Sequence, residues 1–365
     1  MYLPDPRLYA RVNAQNPIIR LLMSLLTESS SEVVKQKREA LTTLLADTLA
    51  IQDHAALNAA MTQAPSLDAY LELWALLRNT VENAPKNAEH YAIPFAIPVI
   101  LVAGFKGTTE LAGQLSDVDA VLALLKQHEV ISPDADVWLS AKLVHAETLA
   151  SVNPSQLSQW RDQLQYASGG LPLDLNTSPM PLKDEAVFLR YLVGVAMQKK
   201  DAAPAIKLGG NLGAWGMQLA NLIGEQLKTN GVTLFPIPRT PMPWLTAGEA
   251  GRETQLETRL QLMTSNALRS IRSKGRTPVI CIAAHENAEI RMTFSTLEDK
   301  ERWEGFVWPL SAWDHVEKIH QYAVELFREC MVTDLRIIEN VQPNMDESDQ
   351  LPFFVTAHIP AVVQH

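Results

Sequence analysis

Pro278-Val279-Ile280-Cys281-Ile282-Ala283-Ala284 carries no charge and includes three β-branched side chains. An unbroken apolar run of this length predicts a strand covered on both faces. His285-Glu286-Asn287 ends it, and Asn tolerates the left-handed backbone of a turn. Beyond the turn, Ile290, Met292 and Phe294 alternate with Glu289, Arg291, Thr293 and Ser295. That alternation predicts a second strand with one buried and one wet face. The two strands make a β-hairpin at the centre of a C-terminal α/β module.

On the N-terminal side, Val232 to Ile237 reads as a strand. Arg252 to Ser273 reads as a helix with Leu256, Leu260, Met263, Ala267 and Ile271 inward. On the C-terminal side come a short strand at Phe306-Val307-Trp308 and a helix from Ser311 to Cys330 burying Val316, Ile319, Ala323, Leu326 and Phe327. Val332 to Glu339 closes the module as a strand. The order β-α-β-β-(β)-α-β over residues 201–342 predicts a ferredoxin-like sandwich, with helices on one face of an antiparallel sheet.

Residues 1–200 read as a mainly helical domain, so the fold class is α+β. Asn16-Pro17, Asp53 and Ser66 are helix starts. Ile93 to Ala103 is the strand among the helices. Further helices are expected from Ser116, from Ser132-Pro133, from Asn153-Pro154 and over 184–199, with a long Gly- and Pro-containing loop at 168–183. In the helix ending at Asn230-Gly231, the small residues Gly213, Gly216, Ala220 and Gly224 predict that another element comes close to the backbone. Residues 343–365 read as an acidic connector followed by an edge strand, in which Phe353, Val355, Ala357 and Ile359 alternate with other residues between two prolines.

The chain has 365 residues, 47% of them apolar and 20% charged, with a net charge of −10. This balance suits a folded protein and argues against binding nucleic acid or an anionic membrane. Met1 to Pro6 lacks a secretory pattern and no apolar run is long enough to span a bilayer, so a soluble, cytoplasmic protein is expected. Cys281 and Cys330 then read as buried, reduced thiols.

Few residues match a chemical template. Lys106, Gly107 and Thr108 follow a strand and precede a helix, where backbone N–H groups hold anions, but the spacing is not that of a Walker loop. Gly209 and Gly210 also open a helix, without the preceding strand of a dinucleotide fold. His285 and Glu286 lie just past the central strand and are acid–base candidates. They match only the first two letters of a zinc-protease motif, and His315 and His320 are five apart, so no metal site and no cofactor is expected. Arg269 and Arg272, with Lys274 and Arg276, form a basic cluster suited to a helix C-terminus, or to docking an acidic partner or a phosphate. Trp244 and Leu245 follow Pro236, Pro238, Pro241 and Pro243, a stiff segment that reads as a buried crossover or as a binding loop.

The leading expectation is a protein-binding or regulatory protein acting through the Pro/Trp loop and the C-terminal module, with self-association possible. The alternative is an enzyme or small-ligand binder centred on His285, Glu286 and the glycine-rich helix starts.

Overall fold

The computed structural model describes residues 16–83, 89–105, 110–150, 152–164, 180–181, 187–285, 289–298, 304–311 and 314–341. Contacts divide the chain into two compact units, one up to Gln255 and one from Leu256. The expected loop at 168–183, the acidic connector and the C-terminal edge strand fall largely or wholly outside the described residues.

The first unit opens with helices α1 (Pro17–Leu26), α2 (Ser31–Ala50), α3 (His54–Thr62) and α4 (Leu67–Glu82). Their starts follow the capping residues seen in the sequence. Asn16 accepts from the Ile18 N–H at 3.0 Å, Asp53 from Ala56 at 2.9 Å and Ser66 from Ala69 at 3.2 Å. Each cap satisfies an N–H that the first helical turn leaves unpaired.

Next in order are β1 (His90–Phe105), β2 (Glu110–Leu111), α5 (Val118–Gln127), β3 (Val137–His145), α6 (Ala146–Ala150), α7 (Pro154–Leu164), β4 (Met180–Pro181) and β5 (Val187–Lys199). A 3-10 turn at Leu212–Ala214 leads to α8 (Gly216–Gln226), β6 (Val232–Pro238) and β7 (Met242–Pro243). The main sheet runs β3-β5-β1-β6, with β7 also on β1, and all its pairings are antiparallel.

Two segments expected as helices are strands. Val187–Lys199 is β5, paired along β1 from Val187↔Val102 to Lys199↔His90, and Val137–His145 is β3 on its other side. Nearly every residue of β5 is buried. With both faces covered, no polar stripe remains to mark a period of two, and the segment's Val, Phe and Tyr content settles on the sheet. The mainly helical expectation for 1–200 therefore gives way to helices packed around an antiparallel sheet.

One sheet face carries Phe95, Ile97, Val99 and Leu101 of β1 with Phe188 and Leu192 of β5. Val121 and Leu125 of α5 and Leu219 and Ile223 of α8 cover it. The expected close approach of another element to the glycine-bearing helix is not seen: a Cβ at Gly224 would meet Pro236 of β6 at an ordinary 3.6 Å, and the crowding at Gly216 comes from Leu212, four residues upstream. Leu212–Ala214 does not extend that helix, because Asn211 caps the 3-10 turn through the Gly213 N–H.

Helix α9 (Trp244–Ser273) runs through the division between the units. The second unit holds its later part, then β8 (Pro278–His285), β9 (Glu289–Thr296), β10 (Glu304–Pro309), α10 (Val316–Glu329) and β11 (Asp334–Val341). The β8–β9 hairpin forms as read from the sequence, with Pro278↔Thr296 through His285↔Glu289. Leu256, Leu260 and Ala267 of α9 and Ile319, Ala323 and Phe327 of α10 cover Ile280, Ile282, Met292 and Phe294. Phe294 and Phe327 meet edge to face at 5.7 Å between centroids.

The connectivity departs from the ferredoxin-like expectation. Val232–Pro238, expected to open that module, pairs instead with β1 of the first sheet. The second sheet runs β10-β9-β8-β11, and β11 lies parallel to β8, so it is mixed rather than antiparallel. The contact boundary accordingly falls at residue 255, not near 201. The expected wet face of β9 is not wet either: Arg291, Thr293 and Ser295 are all buried. Val316 of α10, expected inward, is exposed.

Candidate functional site

Trp244 and Leu245 begin α9 with buried side chains. Trp244 is only 1% exposed. An indole in the interior cannot meet a partner, so of the two sequence readings the buried crossover describes this segment. Three residues one turn apart on α4 hold the start of α9. Trp74 donates Nε1–H to Glu249 at 2.8 Å, Arg78 pairs with the same carboxylate, and Glu82 accepts from the Thr246 N–H and hydroxyl at 2.9 and 2.7 Å. Burial pushes the Glu82 carboxyl above its ordinary value, against the lowering effect of the Thr246 bonds. The cavity beside it, lined by Val81, Tyr91 and Pro94 among others, is about 10 Å³. That is room for about one water. Glu82 thus caps the start of α9 beside a cavity for about one water.

The glycine candidates divide. Gly209 has φ +69° and donates its N–H to the Pro241 carbonyl at 2.8 Å. That donor is spent on the fold, and the turn after Gly210 is a short 3-10 segment with its own side-chain cap. Lys106, Gly107 and Thr108 lie outside the described residues, as does Glu286. His285 ends β8 opposite Glu289, and nothing beyond its backbone is described. Among the described residues no group of three His, Cys, Asp or Glu side chains is placed to hold a metal ion.

The basic cluster is split by role. Arg272 donates from Nη2 to the carbonyls of Cys330 at 2.7 Å and Met331 at 3.1 Å. It therefore ties the end of α9 to the end of α10, where free carbonyls welcome a cation. Arg269 is exposed on α9.

One surface stands out that these candidates did not include. On β6, Val232, Leu234 and Pro236 turn toward α8, and Phe235 and Ile237 turn to the other face of the sheet. There Phe235 is 60% and Ile237 42% exposed. The same face is covered over β1 and β5: Ile100, Leu189 and Tyr191 are buried, and Tyr191 donates its hydroxyl to the Gly248 carbonyl of α9 at 3.2 Å. The helical cover stops short of β6, leaving two large apolar side chains at the sheet's flank.

Among the described residues no strand pairs with the outer edge of β6, and that edge is chemically blunt. Arg239, just past the strand, donates its N–H to Pro98 of β1 at 2.8 Å, so odd-numbered positions bond inward. Pro236 and Pro238 therefore occupy outward-facing positions, where they have no N–H to offer an added strand. A sequence signal existed in the alternation of Phe235 and Ile237 with Leu234 and Pro236, but it is apolar on both sides and does not say which side is bare.

Comparison of the chain with family models, with curated proteins and with solved structures gives no match.

Proposed function

We propose that this protein works by binding a protein partner on the flank of its first sheet, with Phe235 and Ile237 as the apolar contacts. The observation that carries this reading is the bare pair itself, on a sheet face otherwise closed by helices. Exposed apolar side chains grouped at one place are a mark of interaction surfaces. The prolines at the outer edge disfavour strand addition, so the partner is expected to present side chains, as the apolar stripe of a helix does. A helix laid there would extend the layer that covers β1 and β5. A net charge of −10 opposes pairing with a second acidic copy and favours a partner with basic residues around its apolar stripe. Two free cysteines support a cytoplasmic setting for this partnership.

The test is comparative capture from native lysate. Wild type, a Phe235→Asp/Ile237→Asp double variant and a Met217→Asp control at another exposed apolar residue are compared, with light scattering on each. A protein held by wild type and the control but lost from the double variant supports the reading. Equal capture by all three, or dimerisation abolished by the double variant, overturns it in favour of another surface or of self-association.

A further inference from the structure

Helix α2 ends in a turn with unusual side chains. Ile51 is its C-cap, Gln52 follows with φ +57°, and Asp53 donates its N–H to the Thr48 carbonyl at 3.1 Å. In a helix end of this kind the residue at the Asp53 position ordinarily packs an apolar side chain back against the residue at the Thr48 position. Here both are polar, and both line a cleft of about 370 Å³ between α1, α2 and α3. That volume falls within the range of small-molecule sites, roughly 300–1,000 Å³.

The cleft is open to solvent. Ile18 of α1 and Thr48 are buried, at 1% and 7% exposure, whereas Ile51, which also lines it, is 75% exposed. A large apolar side chain is thus left uncovered beside an apolar floor. Asp53 is the one charged residue among the described residues that line the cleft. One of its carboxylate oxygens accepts the Ala56 N–H at 2.9 Å to cap α3, and the other has no partner among the described residues. Asp47, exposed one turn before Ile51, adds a second negative charge on the same side of α2. The Thr48 hydroxyl donates to the Leu44 carbonyl at 2.7 Å and still has lone pairs to accept with.

We propose that this cleft binds a small organic ammonium, with its N–H donors on the Asp53 carboxylate and its aliphatic stem along Ile18 and Ile51. A charged head on an acid and a methylene stem over apolar side chains is how such a cation satisfies both of its ends. Asp53 and Asp47 repel an anion from the same place. The site lies within the first unit and is independent of the partner surface on β6.

The experiment titrates the full chain, labelled at its isoleucine methyl groups, with hexylammonium chloride, ethylammonium chloride and sodium hexanoate at equal ionic strength. A saturable shift of the Ile18 and Ile51 methyl signals is expected with hexylammonium and none with hexanoate. Ethylammonium, with four fewer methylenes to bury, should bind about fivefold more weakly or worse. Asp53→Asn keeps an acceptor for the Ala56 N–H and removes the charge, and should weaken hexylammonium about threefold or more. If that variant does not fold, Ile51→Asn, followed at Ile18, should bring hexylammonium down toward the affinity of ethylammonium. No saturable shift, an equal response to hexanoate, or undiminished binding in the variants overturns the site. Shifts that follow protein concentration without added amine overturn it in favour of a second copy of the chain.

Discussion

Glu82, the last residue of α4, caps the first turn of α9 from 164 positions away, accepting both the N–H and the hydroxyl of Thr246. The cap joins two elements that nothing in the sequence places together. It also makes Glu82 a half-buried carboxylate whose pKa is raised by desolvation. A group with a raised folded-state pKa stabilises most below its unfolded value, and that contribution is lost as pH rises through the folded value. Glu82→Gln keeps an acceptor for Thr246 and removes the charge. The stability of wild type relative to Glu82→Gln should therefore fall as pH rises above 4.5, the ordinary value for this carboxyl. Glu82→Ala should cost about 1–3 kcal/mol by stranding the Thr246 donors. Urea denaturation across pH checks both, and parallel curves for wild type and Glu82→Gln would refute the cap's charge burden.

The thiols should behave differently from one another. Burial pushes the Cys281 thiol up to about 11, and Cys330 is only half-buried at the end of α10. A maleimide should modify Cys330 slowly in the native protein and Cys281 only on unfolding. Mass mapping of the labelled peptides distinguishes them. Prompt native labelling of Cys281 would contradict its enclosure.

Gly194 has no room for a side chain. A Cβ there would lie 2.5 Å from the Phe95 ring and 2.7 Å from the Trp138 carbonyl oxygen. The ring can move but the β3 backbone cannot do so without breaking its ladder. Gly194→Ala should destabilise by about 1–3 kcal/mol, read as a lower urea midpoint at unchanged slope.

Arg272 and Arg269 separate a structural cation from a surface one. Arg272→Ala removes the bonds to Cys330 and Met331 and should cost about 0.5–1.5 kcal/mol. Arg269→Ala should stay within about 0.5 kcal/mol. Thermal melts of the two variants decide, and equal losses would mean the cap contributes nothing.

What could be read from the chain depended on how much each signal was local. Asn16, Asp53 and Ser66 cap their helices through residues two or three places away, and β8 and β9 pair from His285↔Glu289 outward, neighbours in sequence. Those were legible. Val187–Lys199 was not, because its strand identity rests on β1 and β3, far away in sequence, and burial on both faces erased its alternation. The enclosure of Trp244 is likewise a tertiary property, which the prolines before it do not encode. Arg291 sits on a regular polar–apolar alternation that ordinarily means a solvated face, and only the folded chain shows that face covered. Phe235 and Ile237 gave the opposite difficulty: an apolar pattern with a bare side.

The placement of β1 at the middle of the first sheet sets an order of assembly. Its sixteen residues pair with Val187–Lys199 on one side and Val232–Pro238 on the other, both made long after it during synthesis. Until the ribosome has passed residue 199, an apolar strand with Ile97, Val99, Ile100 and Leu101 has neither neighbour. Such a stretch is a target for chaperones and a seed for aggregation. The β8–β9–β10 meander, by contrast, joins neighbours in sequence and closes with little loop entropy. Nascent chains arrested before β5 should thus be the aggregation-prone species, and the later-made meander should close soon after it emerges.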